Sequence, residues 1–128
     1  MKPVTAEWVA KAEGDWTTAH REMEAAGSPN FDAACFHAHQ CVEKYLKARL
    51  AEEGKSLPKT HDLSALLDLL LPLEPKWIRF RQELDVLTDL GIEVRYPGVF
   101  AEIEDARRAV ETAGEVRQAA RRSLGEVP

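Results

Sequence analysis

The sequence has no long hydrophobic run, and this absence excludes several classes of protein. No apolar stretch approaches the roughly 18 residues of a transmembrane helix, and no signal-peptide pattern opens the chain. We therefore expect a soluble, cytoplasmic protein with no membrane partner. Alternating strand patterns, internal repeats and low-complexity tracts are also missing, which disfavours sheet, repeat and disordered architectures.

Cysteine is scarce as well, with only Cys35 and Cys41 on one predicted helix. Their Cα atoms would lie roughly 9 Å apart at the rise of an α-helix, which is too far for a disulfide. Two cysteine–histidine pairs, Cys35 with His39 and His37 with Cys41, point to faces about 200° apart and cannot share one ion. The CxxC and HExxH spacings are missing too. We therefore predict buried core cysteines, no metal site and no cofactor.

What the sequence does contain is an ordinary globular composition. A chain of 128 residues with 45% hydrophobic and 30% charged residues builds a core without disulfides or metal. We expect residues 1–128 to form a single domain. The net charge of −5 argues against general binding to nucleic acid or anionic membranes, although a local basic patch is compatible with it.

Apolar residues recur at three- and four-residue spacing along most of the sequence, which predicts an all-α protein. The central element is a helix around Cys35–Leu50, whose wide apolar stripe requires neighbouring helices. Glycines and prolines divide the chain into four long helices and one short helix, expected as an up-and-down bundle. The predicted helices are Thr5–Ala26, Asn30–Glu53, His61–Leu71, Lys76–Leu90 and Val99–Leu124.

Local signals also predict where these helices begin and end. Ser28 and Pro29 are expected at the N-cap and first position of the second helix, and Thr60 is expected to cap the third. Gly91 is expected to end the fourth helix. The inner stripe of the last helix is expected to comprise Phe100, Ile103, Ala106, Val110 and Ala113. Beyond that stripe the spacing becomes irregular, so the C-terminal tail is expected to fray.

Three charged residues of the second helix are candidates for function. Glu43, Lys44 and Lys47 would position a phosphate or take part in acid–base chemistry if they face a binding site. The alternative is a solvated helix face with one supporting ion pair between Glu43 and Lys47.

Two later segments carry further candidates. His61 followed by Asp62 would form a general base with its orienting carboxylate, or would merely cap a helix. Arg95 and Tyr96 precede the last helix, where backbone N–H groups favour anions, so the pair suits a phosphate of a nucleotide or of RNA. The alternative pairs Arg95 with Glu43 across the bundle and packs Tyr96 over the helix seam. The sequence leaves both alternatives open.

Three motifs, taken in order, resemble those of one protein family. Segment Phe36–Ala48 reads FHAHQCVEKYLKA, Thr60–Leu63 reads THDL and Arg95–Gly98 reads RYPG. Their order, spacing and flanking helices resemble the HEPN domain, and the resemblance extends from about Ala6 to Ser123.

This resemblance implies a helical bundle, commonly dimeric, in small prokaryotic proteins often paired with a minimal nucleotidyltransferase. Many such proteins are metal-independent ribonucleases, frequently toxins of toxin–antitoxin or phage-defence systems, and others bind nucleotides or act as non-catalytic partners. In the nucleases four to six residues separate an arginine from a histidine that follows it. Arg95 matches the arginine, but the corresponding later positions hold Phe100, Ala101 and Glu102.

Because this histidine is missing, the preferred hypothesis is a non-nucleolytic module that binds a nucleotide or phosphate, or that pairs with a nucleotidyltransferase. The residues expected to form its binding surface are Glu43, Lys44, Lys47, Arg95 and Tyr96. The alternative is a ribonuclease with a displaced base, in which Arg95 holds the scissile phosphate and His61 transfers the proton. A third hypothesis is a purely structural homodimer in which these polar residues pair with one another.

Overall fold

A computed structural model describes residues 1–126, and it confirms the all-α architecture of four long helices and one short helix. The α-helices of this range are α1 (Pro3–Glu24), α2 (Phe31–Glu52), α3 (Leu63–Leu70), α4 (Arg81–Glu93) and α5 (Ile103–Ser123), with a 3₁₀ helix at Pro75–Phe80 before α4. No strand occurs within residues 1–126. None of the described helices is long and apolar enough to cross a lipid bilayer.

Helix α2 lies at the centre of the bundle and packs against α1, α3, α4 and α5. Small residues such as Ala34, Ala38 and Cys41 are fully buried and let neighbouring helices approach closely, while Tyr45 and Leu46 supply bulk. The helix is buried on more sides than its apolar stripe predicted, because part of its polar face is buried too. Three polar side chains are buried on it as well: His39, Glu43 and Lys47. All three side chains belong to the candidate site or adjoin it.

Helices α1 and α2 form an antiparallel hairpin, as expected of successive helices in an up-and-down bundle. The hydroxyl of Thr5 near the start of α1 donates to Glu52 at the end of α2, at 2.9 Å. The prediction that Ser28 caps α2 was wrong, because the side chain of Asn30 accepts the hydrogen bond from the Ala33 N–H at 3.0 Å. The turn therefore extends past Pro29, and α2 begins at Phe31.

The start of α3 also differs from the prediction. Asp62, not Thr60, is the N-cap, and its carboxylate accepts hydrogen bonds from the N–H groups of Ser64 and Ala65. Thr60 instead accepts a hydrogen bond from the Asp62 N–H at 3.1 Å. Two capping side chains in succession fix the chain that leads into α3, and His61 lies between them.

The fourth predicted helix is divided in two and extends further than expected. Pro75 begins the 3₁₀ helix, and the α-helical part then continues through Gly91 to Glu93. Gly91 does not end α4; it lies where α4 touches the ring of His39, and a Cβ there would be 2.7 Å from the His39 Cγ. The glycine is explained by this close approach rather than by a helix terminus.

The last helix begins later and packs further than predicted. Glu102 and Asp105 form a capping box, so α5 starts at Ile103 rather than Val99. Phe100 and Ile103 are not in the inner stripe, since they are 80% and 41% exposed. Asp32 accepts a hydrogen bond from the Ala101 N–H at 2.6 Å, which holds the loop before α5 against the start of α2.

The buried stripe of α5 does not stop at Ala113, because Val116 and Ala120 continue it. The expected fraying is therefore absent as far as Ser123, the last residue of the helix. A polar network fixes this half of α5: Arg117 donates two hydrogen bonds of 2.7 Å to Glu13 of α1. The last two residues of the predicted tail, 127 and 128, lie outside the described residues.

Candidate functional site

A buried carboxylate on α2 contacts both a lysine of the same helix and a histidine of the loop before α3. The Glu43 carboxylate accepts a hydrogen bond from the Lys47 ammonium at 3.1 Å, and its other oxygen lies 2.7 Å from the His61 Nδ1. The side chains of Glu43 and Lys47 are only 6% and 10% exposed, whereas that of His61 is 59% exposed. We call these three residues the Glu43 cluster.

The position of the cluster follows from helical spacing. Glu43 and Lys47 are one turn apart on α2, so their side chains meet. Because both lie on the buried side of the helix, each charge needs a partner within the protein. The aromatic ring of Trp8 on α1 covers the lysine, whose ammonium lies 5.7 Å from the ring centroid.

His61 comes from the loop before α3, and its main chain is held from two directions. The Nε2 of His39 lies 2.8 Å from the His61 carbonyl oxygen. One residue beyond Asp62, the Leu63 N–H donates to the Thr88 hydroxyl of α4 at 3.1 Å. The His61 ring is thus carried on an anchored loop, with one nitrogen donating to Glu43 and the exposed ring edge directed away from that carboxylate.

This arrangement has a definite chemical capacity. A neutral imidazole whose Nδ1 donates to a carboxylate carries its free lone pair on Nε2, where it acts as a proton acceptor. When protonated, the same ring donates to an anion. Glu43, not the adjacent Asp62, is the orienting carboxylate, and Asp62 caps α3 as the alternative interpretation expected.

Arg95 lies in the segment after α4, and its side chain is exposed at the surface. Its guanidinium lies 4.8 Å from the ring centroid of Phe36 on α2, so the aromatic ring orients the fork. The expected alternative pairing of Arg95 with Glu43 is not formed, because Glu43 is held by the cluster. Tyr96 does not pack over a helix seam either, since it is 62% exposed.

Buried His39 lies between the loop that carries His61 and α4, the helix that precedes Arg95. Its pKa is lowered chiefly by burial, against the opposing effects of the hydrogen bond to the His61 carbonyl and the charge of Glu43.

Lys44 belongs to a different cluster, on the side of α2 that faces α1. Its ammonium lies 2.5 Å from an Asp15 carboxylate oxygen, and the His37 Nδ1 lies 2.8 Å from the other oxygen. The sequence prediction grouped Lys44 with Glu43 and Lys47, but the structure brings only the last two together. Asp15 was missed, although a charged residue inside the apolar stripe of a predicted helix signals a buried ion pair.

The cysteines are placed in the core. Cys35 and Cys41 are fully buried, and burial raises the pKa of the Cys35 thiol to about 12. A protonated buried thiol is a poor metal ligand. Within residues 1–126, no group of three histidine, cysteine or carboxylate side chains has a geometry suited to a metal ion.

The family follows from comparison with known proteins. The HEPN domain model matches residues 5–123, nearly the whole sequence. The chain belongs to the HEPN family. The crystal structure of an archaeal HEPN homologue superposes with a TM-score of 0.73, covering 97% of this chain and 99% of that one at 23% identity. At that identity the likeness supports the fold alone. No curated protein matches the sequence.

The two candidate residues of the HEPN chain come from different parts of the sequence. Within this HEPN chain Arg95 and His61 belong to different connecting segments, the one after α4 and the one before α3, rather than to one short motif. Sequence reasoning selected both residues but paired His61 with the wrong carboxylate. The correct partner lies 18 residues away on another element, and neither motif signals that contact.

Proposed function

We propose that this HEPN protein is a non-nucleolytic module that binds a phosphate-bearing ligand, a nucleotide in the first instance. The observation that carries the proposal is the exposed His61 ring held by the buried Glu43 carboxylate, on a loop that His39 links to α4, the helix that precedes Arg95. Arg95 supplies the main charge for the phosphate, and exposed Tyr96 offers a ring for a base. Glu43 orients the His61 ring, and Lys47 in turn holds the Glu43 carboxylate.

The exposure and the ion-pair partners of each side chain decide which residues of the proposed surface contact the ligand. Lys47 is too buried to be a principal phosphate ligand, so its role is to neutralise and hold Glu43. Lys44 is left out, because its ammonium is engaged by Asp15 on the α1 side of α2. The oriented guanidinium fork of Arg95 suits bidentate contact with phosphate oxygens.

The first prediction concerns ligand binding. With ADP and inorganic pyrophosphate as probes in calorimetric titrations, Arg95→Ala and His61→Ala are each expected to weaken binding by roughly tenfold or more, because a charge-assisted hydrogen bond is lost. Arg107→Ala is the matched control, since Arg107 is exposed on α5 and pairs with Glu104 in its own helix. Absence of binding by the wild type, or equal loss in the control, would refute the proposal.

A second candidate function is metal-independent RNA cleavage, which the Glu43–His61 pair favours. A carboxylate that fixes one nitrogen of an imidazole prepares the other as a general base. His61 would take the proton of the RNA 2′-hydroxyl, the 2′-oxygen would attack phosphorus, and the bond to the 5′-oxygen would break with proton return to the leaving group. Arg95 would stabilise the charge on the transferring phosphoryl group.

The cleavage assay separates the two candidates. RNA degradation that persists in EDTA but disappears in both Arg95→Ala and His61→Ala would establish the ribonuclease. Activity that survives in both variants would identify a contaminant. With no cleavage in the wild type, the non-nucleolytic binding module remains.

Exposed apolar side chains beside Arg95 suggest where a partner binds. Val99, Phe100 and Ile103 are 39%, 80% and 41% exposed, and we call them the loop patch. HEPN domains often form dimers, and we infer that the loop patch is the homodimer face of this protein. We propose in addition that the cellular partner of the dimer is a minimal nucleotidyltransferase of a toxin–antitoxin or defence system.

The second prediction tests this face. Phe100→Glu places a charge where an apolar side chain would be buried, and it is expected to weaken the dimer at least roughly 30-fold in light-scattering chromatography. Ile78→Glu is the matched control, because Ile78 is 52% exposed on the 3₁₀ helix, outside the loop patch. A wild type that is monomeric at every concentration, or a dimer that Ile78→Glu weakens equally, would contradict the assignment.

A further inference from the structure

His39 is a buried histidine that neither candidate mechanism uses as a reacting group. It lies in the middle of α2, is 2% exposed, and contacts both the loop that carries His61 and the helix that leads to Arg95. A polar ring in such a position requires a reason, because burying it costs free energy unless its nitrogens are satisfied.

The hydrogen bond of His39 defines its protonation state. A carbonyl oxygen only accepts, so the Nε2 that lies 2.8 Å from the His61 carbonyl must carry the proton. Burial lowers the pKa of His39, which favours the neutral ring. His39 is therefore a neutral imidazole that donates from Nε2 to the main chain of His61.

The Cγ–Cδ2 edge of the His39 ring packs against α4. A Cβ on Gly91 would lie 2.7 to 2.8 Å from Cγ, Cβ and Cδ2 of His39, so only glycine lets the helix come this close. Gly91 precedes Arg95 by a single helical turn of sequence. The His39 ring therefore occupies the space between the His61 carbonyl and the end of the helix from which Arg95 emerges.

We propose that His39 is a positioning residue that sets the separation of His61 and Arg95 and keeps the His61 ring on Glu43. The ring acts as a spacer against Gly91 and as a hydrogen-bond donor to the His61 main chain. Loss of the donor would release the loop before α3 and let His61 rotate away from the carboxylate. The effect on ligand binding rests on the proposed function, whereas the effect on the His61 ring does not.

The test compares His39→Gln with His39→Leu. The glutamine amide retains a donor at a reach similar to Nε2, whereas leucine keeps much of the volume but donates nothing. Long-range proton–nitrogen spectra report which ring nitrogen of a histidine carries the proton, and they are recorded at about pH 8.5, two units above the ordinary imidazole pKa. Urea unfolding confirms that both variants are folded under these conditions.

The wild type is expected to show His39 protonated on Nε2 and His61 protonated on Nδ1. In His39→Leu the Nδ1 preference of His61 is expected to be lost, and pyrophosphate binding is expected to weaken roughly tenfold. His39→Gln is expected to restore most of both. A loss of stability without the tautomer change would mean that His39 is only a core residue, and it would overturn the proposal.

The two proposals fail in different ways. If the wild type binds neither ADP nor pyrophosphate, the proposed function fails, but the tautomer measurement still decides the role of His39. If wild type and His39→Leu bind pyrophosphate equally and His61 keeps its Nδ1 proton in both, the positioning role fails while the proposed function stands.

Discussion

Glu43→Ala is expected to lower the free energy of unfolding by about 3–5 kcal/mol, a cost typical of removing one partner from a buried ion pair. The Lys47 side chain, only 10% exposed, would keep its charge beneath the Trp8 ring without its carboxylate. A desolvated charge without a partner costs far more than the pair itself contributes. Urea unfolding monitored by circular dichroism measures the change.

The control variants separate burial from charge pairing in general. Glu104→Ala removes the partner of Arg107 in an exposed pair whose side chains are 74% and 60% exposed, and it is expected to change stability by less than about 1 kcal/mol. Combining Glu43→Gln with Lys47→Met removes both charges together, and it is expected to recover much of the loss. An equal cost for Glu43→Ala and Glu104→Ala would mean that the buried pair carries no special penalty.

The expected loss of stability in Glu43→Ala decides which residues are suited to testing the functional proposals. A Glu43 variant that fails to bind a ligand would combine the loss of His61 orientation with the loss of stability. His61 and Arg95 are more informative positions, because both are exposed and their truncation leaves no charge stranded in the interior. Variants of His61 and Arg95 are therefore used to test ligand binding and RNA cleavage, and variants of Glu43 are used to test stability.

The sequence predicted the elements of the fold well because helical periodicity is a local property. The apolar stripe that includes Tyr45 and Leu46 required neighbouring helices, and α2 is indeed at the centre. Phe100 was assigned to the interior because an apolar residue at helical spacing gives the same pattern whether it faces a core or an exposed patch. Only the capping box at Glu102 distinguishes the two, since it starts the helix after Phe100.

The candidate site was predictable as a set of residue types but not as a set of contacts. Lys44 and Lys47 are close together on α2, yet they reach different carboxylates, because Asp15 is supplied by α1 and Glu43 by α2 itself. The pairing of Glu43 with His61 depends on where the loop before α3 crosses α2. That crossing is set by tertiary packing of His39 and Thr88, for which a single sequence carries no periodic signal.

Gly91→Ala is expected to destabilise the protein by about 1–3 kcal/mol, the cost of overpacking a closed interior. The added methyl group would lie 2.7 Å from the His39 ring, and the ring is held on its other side by the His61 carbonyl. Gly14→Ala is the matched control, because a Cβ at that helical glycine on α1 would meet no atom within 4 Å. It is expected to stabilise the protein by about 0.5–1 kcal/mol through helix propensity. Thermal and urea unfolding of the two variants are compared directly.

The cause of the Gly91→Ala effect is tested by removing the ring that the methyl group would meet. His39→Ala alone is expected to destabilise, because it opens a cavity and leaves the His61 carbonyl without its donor. In that background the methyl group of Gly91→Ala has room, so the same substitution should cost nothing or become stabilising, as at Gly14. A cost that persists without the His39 ring would place the strain in α4 itself, and Gly91 would then be required by the helix rather than by the histidine that supports His61.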